Sequence, residues 1–315
     1  MVSSFHREKQ MCGIAGIMYK HKGAGKETGE TLINMLDCIQ HRGPDSTGFA
    51  LYGDQHYGKL KLRFYVGYEQ DNSAIDQIKQ AFEKHGASLV EEEHIGENYR
   101  AVVNFTGDLQ KFAYAMENSS PKATVVSIGE SLDIIKDVGG AHDVDGRYDV
   151  ANFTGTHAIG HVRLATESDV KPEAAHPFWA TGFSDVAIVH NGQITNYWKM
   201  RRRLERRGFE FRTSNDSELV AVYLAEKMAK GEPLKEALKN AIDDLDGTFS
   251  FLVSTKDEIG YAKDHLAAKP MIMFENDDLI AIASEEVSLN RLFPGEALDT
   301  HEPPPGSYAT WSKST

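Results

Sequence analysis

Short apolar runs bounded by turn residues recur along this chain and outnumber the stretches with helical spacing. The first run, Gly13–Ile17, predicts a buried strand, and the apolar positions between 30 and 40 predict an amphipathic helix. Later patterns predict strands at 156–164, 186–190, 193–197, 248–254, 259–264, 271–275 and 279–284, and helices at 197–207, 216–229 and 233–243. Because strands dominate without strict alternation with helices, we expect an α+β protein with helices packed on antiparallel sheets.

The middle of the chain, at about 58–150, has an order of elements of its own. Strand-like segments at 59–66, 88–93, 99–105 and 123–128 are joined by helical spacing at 73–85 and 107–117. This β-α-β-β-α-β order is typical of a ferredoxin-like unit. The stretch holds no His, Cys or carboxylate cluster with catalytic spacing, so we expect an inserted subdomain for packing, regulation or partner docking.

Composition narrows the classes of function. The 315 residues suffice for one large domain or two modest ones. With 34 basic and 47 acidic residues the net charge is -13, which argues against binding to nucleic acids or anionic membranes. No apolar window approaches the roughly 18 residues of a membrane span, and residues 1–10 lack a signal peptide pattern, so we expect a cytoplasmic protein. Two cysteines provide neither a disulfide framework nor a thiolate metal cage, and we predict no metal site.

One of those cysteines, Cys12, directly follows Met11. If the backbone is cut between them, the Cys12 thiol and its own α-amine supply a nucleophile and a base in one residue. The residues before Cys12 are then either a short pro-segment that is removed, or Met11 is the true initiator and ordinary methionine removal exposes Cys12. The alternative is an inert core cysteine in an apolar run.

Two segments of the second half combine apolar strands with polar side chains. Arg163 stands among apolar residues in 160–166, where it either binds a carboxylate ligand or forms an internal salt bridge. In the segment 188–194, Asn191-Gly192 predicts a hairpin turn, and its Asn amide and Gly N–H could also form an oxyanion hole.

A third segment, 213–219, precedes a predicted amphipathic helix. Asn215 and Glu218 have the spacing of a capping box, and Asp216 in the first turn suits the helix dipole. Asp216 could also bind a substrate ammonium group. An Arg for a carboxylate and an Asp for an ammonium, near a nucleophile, together describe a site for an amino acid.

These segments, with the turn at 41–48 (His-Arg-Gly-Pro-Asp-Ser-Thr-Gly), resemble a class II glutamine amidotransferase domain of the N-terminal nucleophile hydrolase superfamily. The resemblance covers about 12–55 and 155–310 and implies a four-layer αββα sandwich of two antiparallel sheets. It implies that Cys12 is the nucleophile and that Asn191 and Gly192 form the oxyanion hole. It also implies that Arg163 binds the glutamine α-carboxylate and Asp216 the α-amine, and we expect Thr166 to help shape the pocket.

The residue after Arg163 is Leu164, where sugar-phosphate and purine amidotransferases usually have an aromatic residue. With the insert, this looks most similar to stand-alone amidotransferase subunits of glutamate synthase-like systems, including N-methylglutamate synthase. That resemblance implies a cofactor-free chain in a hetero-oligomer, with flavin and iron–sulfur groups on a synthase subunit that receives ammonia. The alternatives are another acceptor, such as a sugar phosphate or aspartate, and a non-catalytic regulator that binds amino acids.

Overall fold

The computed structural model describes residues 12–21, 27–53, 58–67, 72–163 and 175–313. The elements in chain order are β1 (Gly13–Tyr19), α1 (Thr28–Asp37), β2 (Ser46–Tyr52), β3 (Lys59–Tyr65), α2 (Ser73–Lys84), β4 (Ser88–Ile95), β5 (Asn98–Asn104), α3 (Leu109–Glu117), β6 (Thr124–Gly129), β7 (Leu132–Val138), α4 (Ala141–Tyr148), β8 (His157–Arg163), β9 (Phe178–Trp179), β10 (Ala187–Ile194), α5 (Tyr197–Glu205), α6 (Asp216–Ala229), α7 (Leu234–Asp244), β11 (Gly247–Ser254), β12 (Glu258–Lys263), β13 (Ile272–Glu275), β14 (Leu279–Ala283), α8 (Glu286–Asn290) and β15 (Tyr308–Ser312). The predicted α+β class with several antiparallel sheets is confirmed.

Two antiparallel sheets face each other at the centre of the molecule. The first has the strand order β13-β14-β1-β8-β2-β7, and the second has the order β15-β12-β11-β10-β9. Strands β1 and β8 pack against β10 and β11. Gly16 allows a close approach here, because a Cβ at that position would lie 2.9 Å from Leu252 Cδ1. The sheets therefore share one apolar core.

Helices cover the outer faces of both sheets. On the first sheet, α1 packs against β1 and β8 and buries Leu32, Ile33, Met35 and Leu36. On the second sheet, α6 packs against β9 and β10, and α7 packs against β12 and β15. The order of layers is thus helix, sheet, sheet, helix. No helix in the described ranges combines the length and apolarity that crossing a bilayer requires, and the cytoplasmic location stays a prediction.

A third sheet is built from the middle of the chain. Its antiparallel strands have the order β4-β5-β3-β6, and α2 and α3 pack together beside it over Phe82 and Phe112. The element order β-α-β-β-α-β is the one predicted from the sequence. Strand β7 and helix α4, which the sequence analysis did not assign, pack with β2 of the first sheet. The insert boundaries at about 58 and 150 stay predictions.

Candidate active site

A cleft of about 440 Å³ opens where β1, β8 and β10 meet the start of α6. This volume suits a small-molecule ligand. The cleft brings together five of the six predicted site residues, namely Cys12, Arg163, Asn191, Gly192 and Asp216. The other described residues that line it are Arg42, His176, His190, Gln193, Asn215, Ser217, Thr248, Lys269 and Pro270. The sixth predicted residue, Thr166, lies outside the described residues.

Cys12 directly precedes β1 and is half-buried. Its carbonyl oxygen accepts hydrogen bonds from Asn191 Nδ2 at 3.0 Å and from Arg42 Nε at 3.2 Å. Arg42 is held in turn by Glu285, because its Nη1 donates to Glu285 Oε1 at 2.5 Å. Three separate segments therefore anchor the backbone of Cys12. Arg42 lies in the predicted turn at 41–48, and the local sequence of that turn does not indicate this contact.

Asn191 and Gly192 lie within a continuous strand, so the predicted hairpin is wrong. Strand β10 runs from Ala187 to Ile194 and pairs with β11 along this whole length. Gly192 has a φ of 137°, and a Cβ there would lie 1.9 Å from the carbonyl oxygen of Thr248. Glycine is therefore required by the close approach of two strands rather than by a turn. The Asn191 amide points across the sheets toward Cys12.

Arg163 is the last residue of β8 and lines the cleft. Its carbonyl oxygen accepts a hydrogen bond of 3.0 Å from the N–H of Asp45. Gly43 packs directly on the Arg163 backbone, since a Cβ on Gly43 would lie 2.5 Å from the Arg163 carbonyl carbon. The turn with the sequence Gly-Pro-Asp thus fixes the end of β8, from which the guanidinium extends.

Asp216 is the first residue of α6. Its Oδ2 accepts a 2.9 Å hydrogen bond from the N–H of Ile194, and its Oδ1 lies 3.6 Å from His190 Nδ1. Burial acts to raise the pKa of Asp216, but His190 and the N–H groups of Ile194 and Ser217 outweigh it and lower that pKa below its usual range. The cleft therefore holds a carboxylate that is ionised at neutral pH.

The predicted capping box at this helix is half correct. Asn215 Oδ1 accepts a 2.8 Å hydrogen bond from the N–H of Ser217, as expected of an N-cap residue. Glu218, however, is buried and accepts hydrogen bonds from the N–H groups of Arg212 and Thr213 and from the hydroxyls of Thr181 and Thr213. Tertiary contacts to the preceding loop have replaced the reciprocal cap.

A cluster of buried histidines behind Asp216 was missed from the sequence. The rings of His161 and His176 stack at 4.1 Å, and His190 lies edge-on to His176 at 6.5 Å. Burial, reinforced by His190 and Arg163, lowers the pKa of His161 to about 3. Burial also lowers the pKa of His176 well below its usual range. The three histidines come from separate segments of the chain. The only sequence signal for the cluster is that each of them stands next to an apolar residue.

Both cysteines lie in the described part of the chain, and both are thiols rather than disulfide partners. Within the described ranges, no group of three or more His, Cys, Asp or Glu side chains is arranged to hold a metal ion. The described cleft therefore offers a half-buried cysteine, amide donors, one carboxylate and cationic side chains. Such a set suits nucleophilic attack on an amide of a zwitterionic ligand.

Comparisons with known proteins agree with this chemistry. A family model described as a glutamine amidotransferase domain matches residues 161–291. A Methanothermobacter thermautotrophicus protein provisionally named a glutamine amidotransferase is 42% identical over 299 residues, covering 93% of this chain and 95% of that protein. The glutamine amidotransferase-like protein GlxB of Rhizobium meliloti is 38% identical over 301 residues, covering 96% of this chain and 98% of GlxB.

Among solved structures, the chain is similar to glutamine phosphoribosylpyrophosphate amidotransferase from B. subtilis. The TM-score is 0.61 at 22% sequence identity. The similarity covers 96% of this chain but 47% of that protein, so this chain spans about half of its length. At this identity the likeness concerns the fold alone.

Proposed function

Because the chain belongs to the class II glutamine amidotransferase family, we propose that it is a glutamine-hydrolysing subunit. It releases ammonia from L-glutamine through a thioester on Cys12 and delivers that ammonia to a separate glutamate synthase-like subunit. The observation that carries this proposal is the meeting of Cys12, Arg163, Asn191, Gly192 and Asp216 in one cleft. These residues come from three elements and the residue before β1, spread over more than 200 positions of the chain.

The proposed chemistry begins with proton transfer from the Cys12 thiol to its own α-amine. The thiolate attacks the side-chain amide carbon, and the carbonyl oxygen becomes an oxyanion. The Gly192 N–H stabilises that oxyanion together with the Asn191 Nδ2 proton that faces Ser284 Oγ in the free site and turns to the oxyanion. The amide nitrogen takes up the proton and leaves as ammonia, and water then hydrolyses the γ-glutamyl thioester to glutamate. The 3.0 Å bond from Asn191 Nδ2 to the Cys12 carbonyl supports this role, because it places the amide beside the nucleophile.

Glutamine is held in the proposal by its zwitterionic end. Arg163 binds the α-carboxylate, since a planar guanidinium matches a carboxylate in a bidentate manner. Asp216 binds the α-ammonium, and its lowered pKa supports this role because the carboxylate stays charged at neutral pH. We also propose Thr166 as a substrate-binding residue.

We propose that the acceptor of ammonia is on another polypeptide. The sequence has two cysteines, whereas an iron–sulfur cluster usually needs four. We therefore propose that flavin and iron–sulfur groups belong to the partner subunit, and that the complex is a cytoplasmic hetero-oligomer.

We also propose a four-layer fold and a division of the chain into a leader, a domain and an insert. The helix–sheet–sheet–helix order supports a four-layer αββα sandwich, and the strand order β4-β5-β3-β6 supports a ferredoxin-like insert. We assign residues 1–11 to a leader or pro-segment that is removed before Cys12. Residues 12–315 form the amidotransferase domain, with the insert at about 58–150.

The experiment that tests the function compares two cysteine variants. Cys12→Ala is expected to abolish glutamate release from glutamine, whereas Cys38→Ala, which changes a cysteine outside the cleft, is expected to retain it. Ammonia-dependent synthesis by the partner should survive Cys12→Ala. Ammonia transfer to a sugar phosphate or to aspartate would replace the acceptor in this proposal. Glutamine binding without hydrolysis by the processed chain would identify a regulator instead.

A further inference from the structure

The hydroxyl of Ser217 links two imidazoles behind the candidate glutamine site. Ser217 is fully buried in the first turn of α6. Its Oγ lies 2.7 Å from His176 Nε2 and 3.0 Å from His190 Nδ1. Because its backbone N–H already donates to Asn215, the hydroxyl is the group that connects α6 to both histidines.

The position of Asp216 determines the direction of these hydrogen bonds. An ionised carboxylate only accepts, and Asp216 Oδ1 lies 3.6 Å from His190 Nδ1. A lone pair on Nδ1 would face negative charge, so His190 carries a proton on Nδ1. Ser217 Oγ then accepts from His190, and its single proton points to His176 Nε2. One arrangement therefore satisfies all three contacts.

We propose that Ser217 and His176 are positioning residues that hold His190 in its Nδ1–H tautomer, so that His190 orients the Asp216 carboxylate toward the substrate ammonium group. This inference rests on the proposed function, in which Asp216 binds the glutamine α-ammonium. Both residues line the cleft, and the proposal gives neither of them a part in the reaction at the amide carbon. Their effect is on recognition of one end of the substrate.

The hydrogen bonds from His190 to Ser217 and from Ser217 to His176 form a relay. His176, the acceptor at its end, is held rigidly. Lys136 Nζ donates to the carbonyl oxygens on both sides of His176, those of Ala175 at 2.8 Å and of Pro177 at 3.2 Å. Gly48 of β2 lets this segment approach, because a Cβ there would lie 2.1 Å from the His176 carbonyl oxygen. The ring of His176 is also stacked on His161. His176 Nε2 therefore stays where the Ser217 proton points.

The groups around His176 also keep it neutral, as an acceptor must be. Burial is the main cause of its lowered pKa, and His161, His190, Lys136 and Arg163 act in the same direction. Asp216, the acidic group of the relay, faces His190 at the other end. Protonation of His176 would reverse the relay, because His176 would then donate to Ser217 and the Ser217 proton would turn to His190.

The test measures ligand binding to the full chain in the Cys12→Ala background by calorimetry at pH 7.5. The two ligands are L-glutamine and glutaramate, which is glutamine without its α-amino group. Adding Ser217→Ala is expected to weaken glutamine binding at least about fivefold, within the range for loss of a charge-assisted contact. Glutaramate binding should change less than about twofold, because that ligand makes no ammonium contact with Asp216.

Two further variants separate the relay from simple packing. Ser217→Thr, which keeps the hydroxyl, is expected to restore most of the affinity for glutamine. Ser288→Ala is the matched control, since Ser288 is equally buried and loses one hydrogen bond to the backbone of Met35, away from the cleft. Equal losses for glutamine and glutaramate in Ser217→Ala, or no loss for either, would overturn the inference.

A spectroscopic readout keeps this outcome distinct from failure of the proposed function. Imidazole ¹H–¹⁵N correlation spectra, with His190 assigned by comparison with His190→Gln, report the tautomer without any ligand. The Nδ1–H form is expected in the parent chain and its partial loss in Ser217→Ala. An Nε2–H tautomer in the parent chain would refute the relay even if glutamine binds. Absence of glutamine binding with the Nδ1–H tautomer in place would refute the proposed function and the recognition role that depends on it.

Discussion

The side-chain amide of Asn191 donates a 3.0 Å hydrogen bond to the carbonyl oxygen of Cys12, 179 positions earlier in the chain. The bond joins the start of β1 in one sheet to β10 in the other. The same Nδ2 lies 3.2 Å from Ser284 Oγ, which in turn accepts from the N–H of Ile14 at 2.9 Å. The candidate oxyanion donor is thereby held against the backbone that directly follows the Cα of the candidate nucleophile.

Asn191→Ala is expected to lower kcat for glutamine hydrolysis by about 10²–10³, the usual effect of removing one oxyanion-hole donor. The KM should change much less, because the amide acts on charge that develops in the transition state. Steady-state kinetics of glutamate release checks this. An unchanged kcat would mean that Asn191 only anchors the Cys12 backbone.

Asp216→Asn is expected to raise the KM for glutamine about 10- to 100-fold, because a charged hydrogen bond to the ammonium group is lost. Asp108→Asn is a suitable control, since Asp108 is the N-cap of α3 and Asn keeps the cap. Steady-state kinetics of the two variants at the same pH measures the KM for glutamine of each. Wild-type affinity in Asp216→Asn would remove that residue from the ammonium site.

Gly192→Ala is expected to destabilise the protein, because its φ of 137° is strained for any L side chain, at a cost of about 1–3 kcal/mol. The added Cβ would also collide with the carbonyl oxygen of Thr248. Gly146→Ala provides the contrast, since Gly146 lies in α4 with nothing within 4 Å of an added Cβ. Urea unfolding should show a lower midpoint for Gly192→Ala but not for Gly146→Ala. Equal midpoints would contradict the strained, close-packed geometry of β10.

The buried histidines make stability depend on pH. Burial lowers the folded-state pKa of His157 to about 4 and of His161 to about 3, so below about pH 6.5 the unfolded chain binds more protons than the folded protein. Each such histidine should remove about 1.4 kcal/mol of unfolding free energy per pH unit as the pH falls from about 6.5 toward its folded pKa.

Urea titrations at pH 7.5, 6 and 5 measure this slope. Substituting a neutral residue at one buried site, as in His161→Gln, should flatten it. Substituting exposed His142 in the same way should not, because its ring is 62% exposed. A wild-type stability that does not fall between pH 6.5 and 5 would contradict the burial of neutral imidazoles.

Much of the site could be predicted from the sequence because each residue stands in a recognisable local segment. Cys12, Arg163 and Asp216 lie in the cleft as expected. The hairpin at Asn191-Gly192 was wrong because pairing with β11 along Ala187–Ile194 overrides a local turn preference.

Other features depend on contacts between distant segments, which a local pattern does not show. Strand β7 lacks a clean alternation, since its buried positions include Lys136 and Asp137 beside two isoleucines. The role of Ser217 needs His176 and His190 to meet it from 41 and 27 positions away. Glu218 likewise serves the loop before α6 rather than the helix that contains it.

The most direct test of the central claim is the intact mass of the protein before and after treatment with a diazoketone analogue of glutamine. A thiolate displaces dinitrogen from such a reagent and keeps the ligand covalently. We expect a chain that begins at Cys12 and gains a single adduct, located on Cys12 by peptide mapping and absent from Cys12→Ala. A chain that begins at Cys12 and gains no adduct, or gains it on Cys38, would contradict the assignment of Cys12 as the glutamine-hydrolysing nucleophile.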